Sequence, residues 1–410
     1  MKKKYLQKII KLLFVLNIIG IYIFSNKEDT VIFSEIILMG LIGCLFIYLI
    51  KINKINLNSY FLFMGMFVIY TWMTCLWALE IELAVEKSIT LTLLFITGIL
   101  MYNFFYDIQD NKFIIKSLFW AGIFLALYTI FYYGISDFFL RLAQGGRIGG
   151  EILNENSLGM YTGIAVIISF YYVWIKNKKI YYLILVIPFV VAMSTGSRKA
   201  VILIVMGIGI LILCQMENKI RLKQILIIPI IIIGIALAMK SPIFYVTNQR
   251  MEALFNSITG DGKIDNSIKI RNEMIRIGSN QFKETPFLGI GMGNARLISK
   301  NELGKDAYLH NNFIELLVNG GIIGFIIYYL MYLVIIIKLL PHVKNKNDLA
   351  IITFIIIFTR IVMDYGSVSY YTKINNIYII LGFSTIDILD KNKKNKLILL
   401  IKDRNFENGK

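Results

Sequence analysis

Histidine, cysteine and proline are all scarce in this chain of 410 residues, which holds two, three and five of them. Cys44, Cys75 and Cys214 each lie inside an apolar run, and none stands with histidine at metal-ligand spacing. Neither a disulfide framework nor a zinc centre follows from such a set. The first needs a dense array of thiols and the second needs clustered imidazoles and thiolates. Acidic residues are few as well, 26 against 43 Lys and Arg, and only 17% of the chain is charged. Tandem repeats, Ser/Pro linkers and low-complexity tracts are missing apart from a lysine-rich C-terminal stretch, so one domain with one elaboration is the economical reading.

What is present is apolar chain. Hydrophobic residues make up 57% of the sequence, against about 45–50% in soluble domains. A bilayer-crossing helix needs about 20 apolar residues, and on that template about twelve spans are expected. They cover residues 7–24, 30–50, 59–78, 84–106, 113–134, 155–175, 180–195, 198–214, 224–240, 312–337, 348–366 and 374–389. The basic opening from Lys2 to Lys4 runs into an apolar stretch with no small-residue cleavage site after Phe24, and it is read as a retained first span. The expected fold class is therefore all-α, a polytopic integral membrane protein.

The formal charge of +17 invites a nucleic-acid reading, which the layout of the charges excludes. With the N-terminus inside, the basic residues fall in the inward segments. These hold Lys2 to Lys4, Lys51 and Lys54, Lys176 to Lys179, Lys219 to Lys223, Lys338 to Lys346 and the tail from Lys391, as the positive-inside rule requires. The link with Asp107, Asp110 and Lys112 is the one weak inward segment. The partner implied by this charge is the lipid bilayer, with anionic headgroups on the cytoplasmic side. The expected organisation is a transmembrane domain over 1–389, whose extracytoplasmic loop over 241–310 carries short helices between spans nine and ten, and a basic cytoplasmic tail over 390–410. Within that loop, Ile268, Ile275 and Phe282 stand near helical spacing, with Asp265 or Ser267 as a cap and Pro286 as a stop.

Polar residues gather where even-numbered spans begin: GGRIGGEILNENS before span six, STGSRKA at span eight and AYLHNN at span ten. A helix N-terminus presents unpaired N–H groups and a partial positive charge to an anion. Arg147 and Arg198 stand at two of these openings and add planar donor forks suited to phosphate oxygens. Arg271, Arg276 and Arg296 follow in the large loop. Together they suggest an outward-facing pocket for a phosphorylated ligand.

Plainer roles stand beside these. Asn312 and Glu315 fit a capping box, and Asn156 or Ser157 fits a cap. Arg198 and Lys199 could snorkel to the interface. The GIGMGN stretch of Gly289, Gly291 and Gly293 lacks the βαβ context of a dinucleotide site and reads as a turn allowing close backbone approach. His342 reads as a solvated residue of a basic inner loop. Arg360 and Asp364, spaced i, i+4, read either as a stabilising ion pair or as substrate contacts. His310 reads either as an interfacial histidine or as a base, since its ordinary pKa lies near neutrality.

The stretch IRNEMIRIGSNQFKETPFLGIGMGN, followed by HNNFIELLVNGGIIG, resembles the lipid-linked glycan enzymes that include O-antigen ligases and O-antigen or capsular polysaccharide polymerases. The matching positions are Arg271, Pro286, Gly289, Gly291, Gly293, Asn294, His310, Asn311, Gly321 and Gly324, with upstream likeness around Arg198 and from Arg147 to Asn156. Glu155 stands where a proline is common. The resemblance implies metal-independent, cofactor-free glycosyl transfer at the outer face of the cytoplasmic membrane, from a polyprenyl-pyrophosphate-linked oligosaccharide to a sugar hydroxyl. It implies catalytic roles for His310, Arg271 and Arg198, and substrate contacts for Arg147, Asn156, Asn311, Gly291 and Asn294, with Asn311 either positioning the attacking hydroxyl or capping the helix. A chain-length regulator is a further partner of some such enzymes.

A polymerase extends another lipid-linked repeat, whereas a ligase moves glycan to a terminal carrier. The Ile/Lys/Asn-heavy usage suggests a low-GC bacterium, some of which lack a lipid core, and this favours the polymerase. A flippase or transporter is a rival, but such proteins place ionisable residues at the midplane, whereas here they crowd the outer ends. A glycosyltransferase with an acidic motif in its first outer loop is another, and Glu28-Asp29 meets it only nominally.

Overall fold

A computed structural model describes residues 3–24, 28–215, 234, 240–241, 244–259 and 266–407, with backbone alone for 28, 258 and 396–407. The chain is an all-α polytopic membrane protein, with no strand among the described residues. The first five helices are α1 (Lys3–Ile23), α2 (Glu28–Ile52), α3 (Ser59–Thr74), α4 (Ile81–Ile108) and α5 (Asn111–Tyr133). Then come short α6 (Ile135–Ala143), α7 (Glu155–Trp174), α8 (Tyr181–Ile184), α9 (Val186–Ser194) and α10 (Arg198–Gln215). Helices α11 (Tyr245–Thr259), α12 (Asn266–Glu284) and α13 (Ala295–Leu303) precede α14 (Asn312–Lys344) and α15 (Asp348–Met363). A 3-10 turn at Asp364–Gly366 and the long α16 (Lys373–Glu407) complete the chain.

Eight described helices are long and apolar enough to cross a membrane: α1, α2, α4, α5, α7, α10, α14 and α15 with its 3-10 turn. The expected spans at 59–78 and 180–195 appear as shorter apolar helices, and the last expected span opens α16. The expected ninth span, 224–240, lies outside the described residues apart from 234 and 240, as does the cap candidate Asp265. Helices dominate because backbone groups in lipid must be satisfied within their own segment. Buried hydroxyls follow the same rule. Ser88, Thr97, Thr162 and Ser169 each donate to the carbonyl four residues back at 2.7–2.8 Å.

In the core, α7 packs on α5, α9 and α10, α1 packs on α2 and α5, and α14 packs on α3 and α15. Ion pairs and one histidine–carboxylate contact tie the basic segments together at one end of the bundle. Lys3 meets Asp107 at 3.1 Å, Lys11 meets Asp110 at 2.6 Å, Lys176 meets Asp348, and His342 meets Asp390 at 3.0 Å. Asp107 and Asp110, which make their segment poor in net positive charge, are thus counter-ions to α1. His342, read as a solvated residue of an inner loop, lies in the last turn of α14 and meets Asp390 at the surface.

Two departures from straight helices shape the other end. The span expected over 59–78 stops at Thr74 because the chain leaves it to meet the glycine turn. Leu79 N–H donates to Ile290 C=O at 3.1 Å, and Glu80 N–H donates to Asn294 Oδ1 at 2.7 Å. The long α14 breaks at Gly321, whose φ of 60° and ψ of −167° belong to a region that essentially only glycine occupies. The break releases carbonyls of the preceding turn, and the glycine turn takes them up: Ile290 N–H and Gly291 N–H donate to Val318 and Asn319 C=O at 2.9 and 3.0 Å. Burying such groups in a membrane protein without partners would cost several kcal/mol each.

Candidate functional site

The TGSRK segment between α9 and α10 organises the site. Arg147 Nε donates to Thr195 C=O at 2.8 Å, and its guanidinium lies 3.4 Å from the Glu155 carboxylate at the first turn of α7. Glu155, in the position where the resembling family commonly has proline, thus serves as a counter-ion. Ser197 Oγ donates to Asn156 Oδ1 at 3.1 Å, joining the mouths of α7 and α10. Arg198, only 8% exposed, donates from Nη2 to Ser267 Oγ at 3.0 Å. Ser267 lies one helical turn before Arg271 on α12, so both point along one face. Lys199 donates to Gly366 C=O, which brings in the end of α15.

His310 stands in this neighbourhood. Its φ is +56°, a left-handed conformation that histidine adopts more readily than most residues. Burial first, then the charges of Arg271 and Lys199, lower its pKa to about 4. Its ring packs edge-on against Tyr308 with centroids 4.5 Å apart. Tyr308 in turn has its pKa raised, chiefly by burial. His310, Arg271 and Lys199 are therefore electrostatic neighbours, although they belong to three separate segments.

Of the caps offered by the sequence, Asn311 is found and Asn312, Asn156 and Ser157 are not. Asn311, not Asn312, is the N-cap of α14, its Oδ1 accepting from Phe313 and Ile314 N–H at 2.9 and 3.2 Å. Glu315 reaches back to Leu309 N–H at 2.8 Å. The left-handed turn at His310 shifts the cap one residue earlier. At α7 the cap is Asn154, which accepts from Asn156 N–H, so neither Asn156 nor Ser157 performs that role. Replacing Asn311 by Ala is expected to cost about 1 kcal/mol, and by Asp to recover it. Thermal unfolding in detergent reads the difference, and an unchanged Asn311→Ala midpoint would remove the capping role.

Asn312 instead binds the loop after α15. Its Oδ1 accepts from Ser369 and Tyr370 N–H at 2.8 and 3.1 Å, and its Nδ2 donates to Tyr329 Oη at 2.8 Å. Asp364, fully buried, accepts from Arg360 at 2.5 Å, Ser369 at 2.7 Å, Tyr329 at 3.0 Å and Asn312 at 3.3 Å. All of these donors come from the protein itself, so the Asp364 oxygens are occupied within the fold. Arg360 also donates to Ser367 at 3.1 Å, while its buried Nε has no protein partner among the described residues. Gly291 and Asn294 face protein. A Cβ on Gly291 would come within 2.4 Å of Ala78, and buried Asn294 donates to Glu80 and Met292 C=O at 3.2 Å.

Arg360 lines a cavity of about 400 Å³ with Tyr308, Lys373, Ser157, Thr359 and Tyr371. Its charged lining is cationic. At Ile21, Tyr371 and Lys373 it adjoins a more apolar groove of about 440 Å³, walled by Leu38, Met39 and Ile42 of α2 and by Leu93, Leu94 and Met101 of α4. Sequence reasoning missed Tyr308, Lys373 and Ser267 as members of this neighbourhood. Their only signal was position beside His310, at the start of the last span and one turn before Arg271. Among the described residues, no group of three or more His, Cys, Asp or Glu side chains could hold a metal ion.

Residues 183–329 match the family model described as O-antigen ligase, which supports an O-antigen ligase/polymerase family assignment. The matched stretch takes in Arg198, Arg271, Gly291, Asn294, His310 and Asn311, while Arg147, Asn156, Arg360 and Asp364 lie outside it. None of the curated proteins compared with the chain matches it.

Proposed function

We propose that the protein is a bacterial surface polysaccharide polymerase of the O-antigen or capsule type, acting at the outer face of the cytoplasmic membrane with both termini inside. The observation that carries this reading is that His310, Arg271 and Lys199 are electrostatic neighbours, with Arg198 bonded to Ser267 one turn before Arg271, and that Tyr308, against which His310 packs, lines a cationic cavity adjoining an apolar groove. A polyprenyl diphosphate needs both, a cationic seat for its phosphates and apolar surface for its chain. Arg198 and Arg271, with Arg147 behind them, stabilise the charge that accumulates on the diphosphate as it leaves, and fixed guanidinium groups in a water-poor site do so without reorganising. Arg360 offers a further donor from the cavity wall. The acceptor hydroxyl oxygen bonds to the anomeric carbon, the bond from that carbon to the diphosphate oxygen breaks, and His310 takes the hydroxyl proton. The scheme is metal-independent, with arginines supplying the positive charge.

His310 is a weak base at a pKa of about 4, because burial strips its solvent and Arg271 and Lys199 oppose its protonation. A bound diphosphate supplies negative charge beside those cations and raises that pKa. A base must be neutral to act. The acid limb of kcat/KM, which reports the empty site, is therefore expected near pH 4, and that of kcat, which reports the occupied site, at higher pH. Coincident limbs would show that the diphosphate does not sit beside His310.

The reaction itself is tested by a glycan gel from a deletion strain. Complementation by the wild-type gene is expected to restore a ladder, and the empty strain to show single repeats. Long glycan stranded on its lipid carrier in the empty strain would indicate a ligase, and repeats trapped inside would indicate a flippase.

A further inference from the structure

A second polar cavity, of about 230 Å³, takes no part in the scheme above. Glu86 and Lys87 of α4, Arg296 of α13, Asp306 and the almost fully buried Glu315 supply its charges. Tyr308 and Tyr371 line both this cavity and the cationic one, so the two spaces share an aromatic wall. His310 packs on Tyr308 of that wall.

Charge decides which substrate each space suits. The cationic cavity has Arg360 and Lys373 with no carboxylate in its lining, whereas the second sets three carboxylates against two cations. The second therefore offers a diphosphate no net positive seat. Its donors and acceptors are mixed, as a ligand with many hydroxyls requires. Arg296 and Asp306 hold each other at 2.6 Å, one Glu315 oxygen takes Leu309 N–H, and Lys87 Nζ lies 3.9 Å from the centre of the Tyr371 ring. The volume lies below the roughly 300–1,000 Å³ of drug-sized pockets, which suits a terminal sugar rather than a long oligosaccharide.

We infer that this cavity seats the acceptor, an uncharged sugar at the end of a glycan, with Glu86 and Lys87 as specificity-determining contacts and the Tyr308/Tyr371 wall separating it from the donor diphosphate. The inference rests on the glycosyl-transfer reading above. The two substrates approach the wall from opposite faces and meet at Tyr308, which lines both cavities and against which His310 packs.

The test uses the full-length protein in lipid nanodiscs and two probes. One is the repeat oligosaccharide released by mild acid from lipid extracts of the deletion strain, and the other is farnesyl diphosphate. Glu86→Gln and Lys87→Met are each expected to weaken oligosaccharide binding about tenfold, the loss of a hydrogen bond to a charged group, and to leave farnesyl diphosphate binding unchanged. Arg271→Ala is expected to do the reverse. Glu86 is exposed, so Glu86→Gln keeps the test decisive if Lys87→Met fails to fold. Oligosaccharide affinity indifferent to Glu86→Gln, with diphosphate binding intact, overturns the acceptor assignment alone. Failure of the wild-type protein to bind farnesyl diphosphate overturns the glycosyl-transfer reading beneath it.

Discussion

His310→Asn is expected to lower turnover by a factor of about 10²–10⁴, the usual contribution of a positioned general base, and to collapse the glycan ladder of a complemented strain to single repeats. Asparagine is the appropriate replacement because His310 has φ +56°, a conformation asparagine tolerates and alanine resists. The variant therefore removes the imidazole while keeping the turn into α14. Arg198→Ala and Arg271→Ala are expected to cost about 10²–10³ each, as loss of a preorganised donor to a developing anion does. A full-length ladder from all three variants, at normal protein levels, would remove these residues from the reaction.

Asp364→Ala is expected to destabilise the fold by about 3–5 kcal/mol, because it leaves a buried guanidinium without its counter-ion. The damage extends beyond Arg360, since Tyr329, Asn312 and Ser369 all donate to the same carboxylate and together hold the 367–372 loop against α14. The measurement is the fraction of monodisperse protein after detergent extraction, followed by thermal unfolding. Replacing the pair together, Arg360→Met with Asp364→Leu, is expected to recover only the share of the loss due to the unpaired guanidinium, because Tyr329, Asn312 and Ser369 still lack their acceptor, and to stay inactive. Recovery of activity would show that Arg360 holds the bundle and nothing else.

The membrane architecture was legible in the sequence because lipid imposes one periodicity and one length on every span. Places where α3 and α14 depart from that template were not. Both depend on a turn distant in sequence, and the unwound stretch at 75–80 makes sense only once Leu79 and Glu80 are seen paired with residues 290 and 294. The arginines stood out by cost and position, yet the contact of Arg198 with Ser267 joins residues 69 apart, which spacing along a chain cannot reveal. Asn311 and Asn312 are adjacent and chemically identical. Only the left-handed turn before them sends one to the helix end and the other to a loop after α15. Asp364 looked like half of an i, i+4 pair, and its other donors come from α14 and the following loop.

The joint at Gly321 gives α14 a short rigid arm with the site at its tip. At roughly 1.5 Å per residue the stretch from Asn312 to Gly320 is about 14 Å long. A tilt of about five degrees at the joint would then sweep its tip by about 1 Å, a displacement that can cost about a hundredfold in rate. The contact of Ile290 and Gly291 with the arm's last carbonyls thus acts as a gunsight clamp: backbone bonds in a glycine turn fix where the imidazole is aimed.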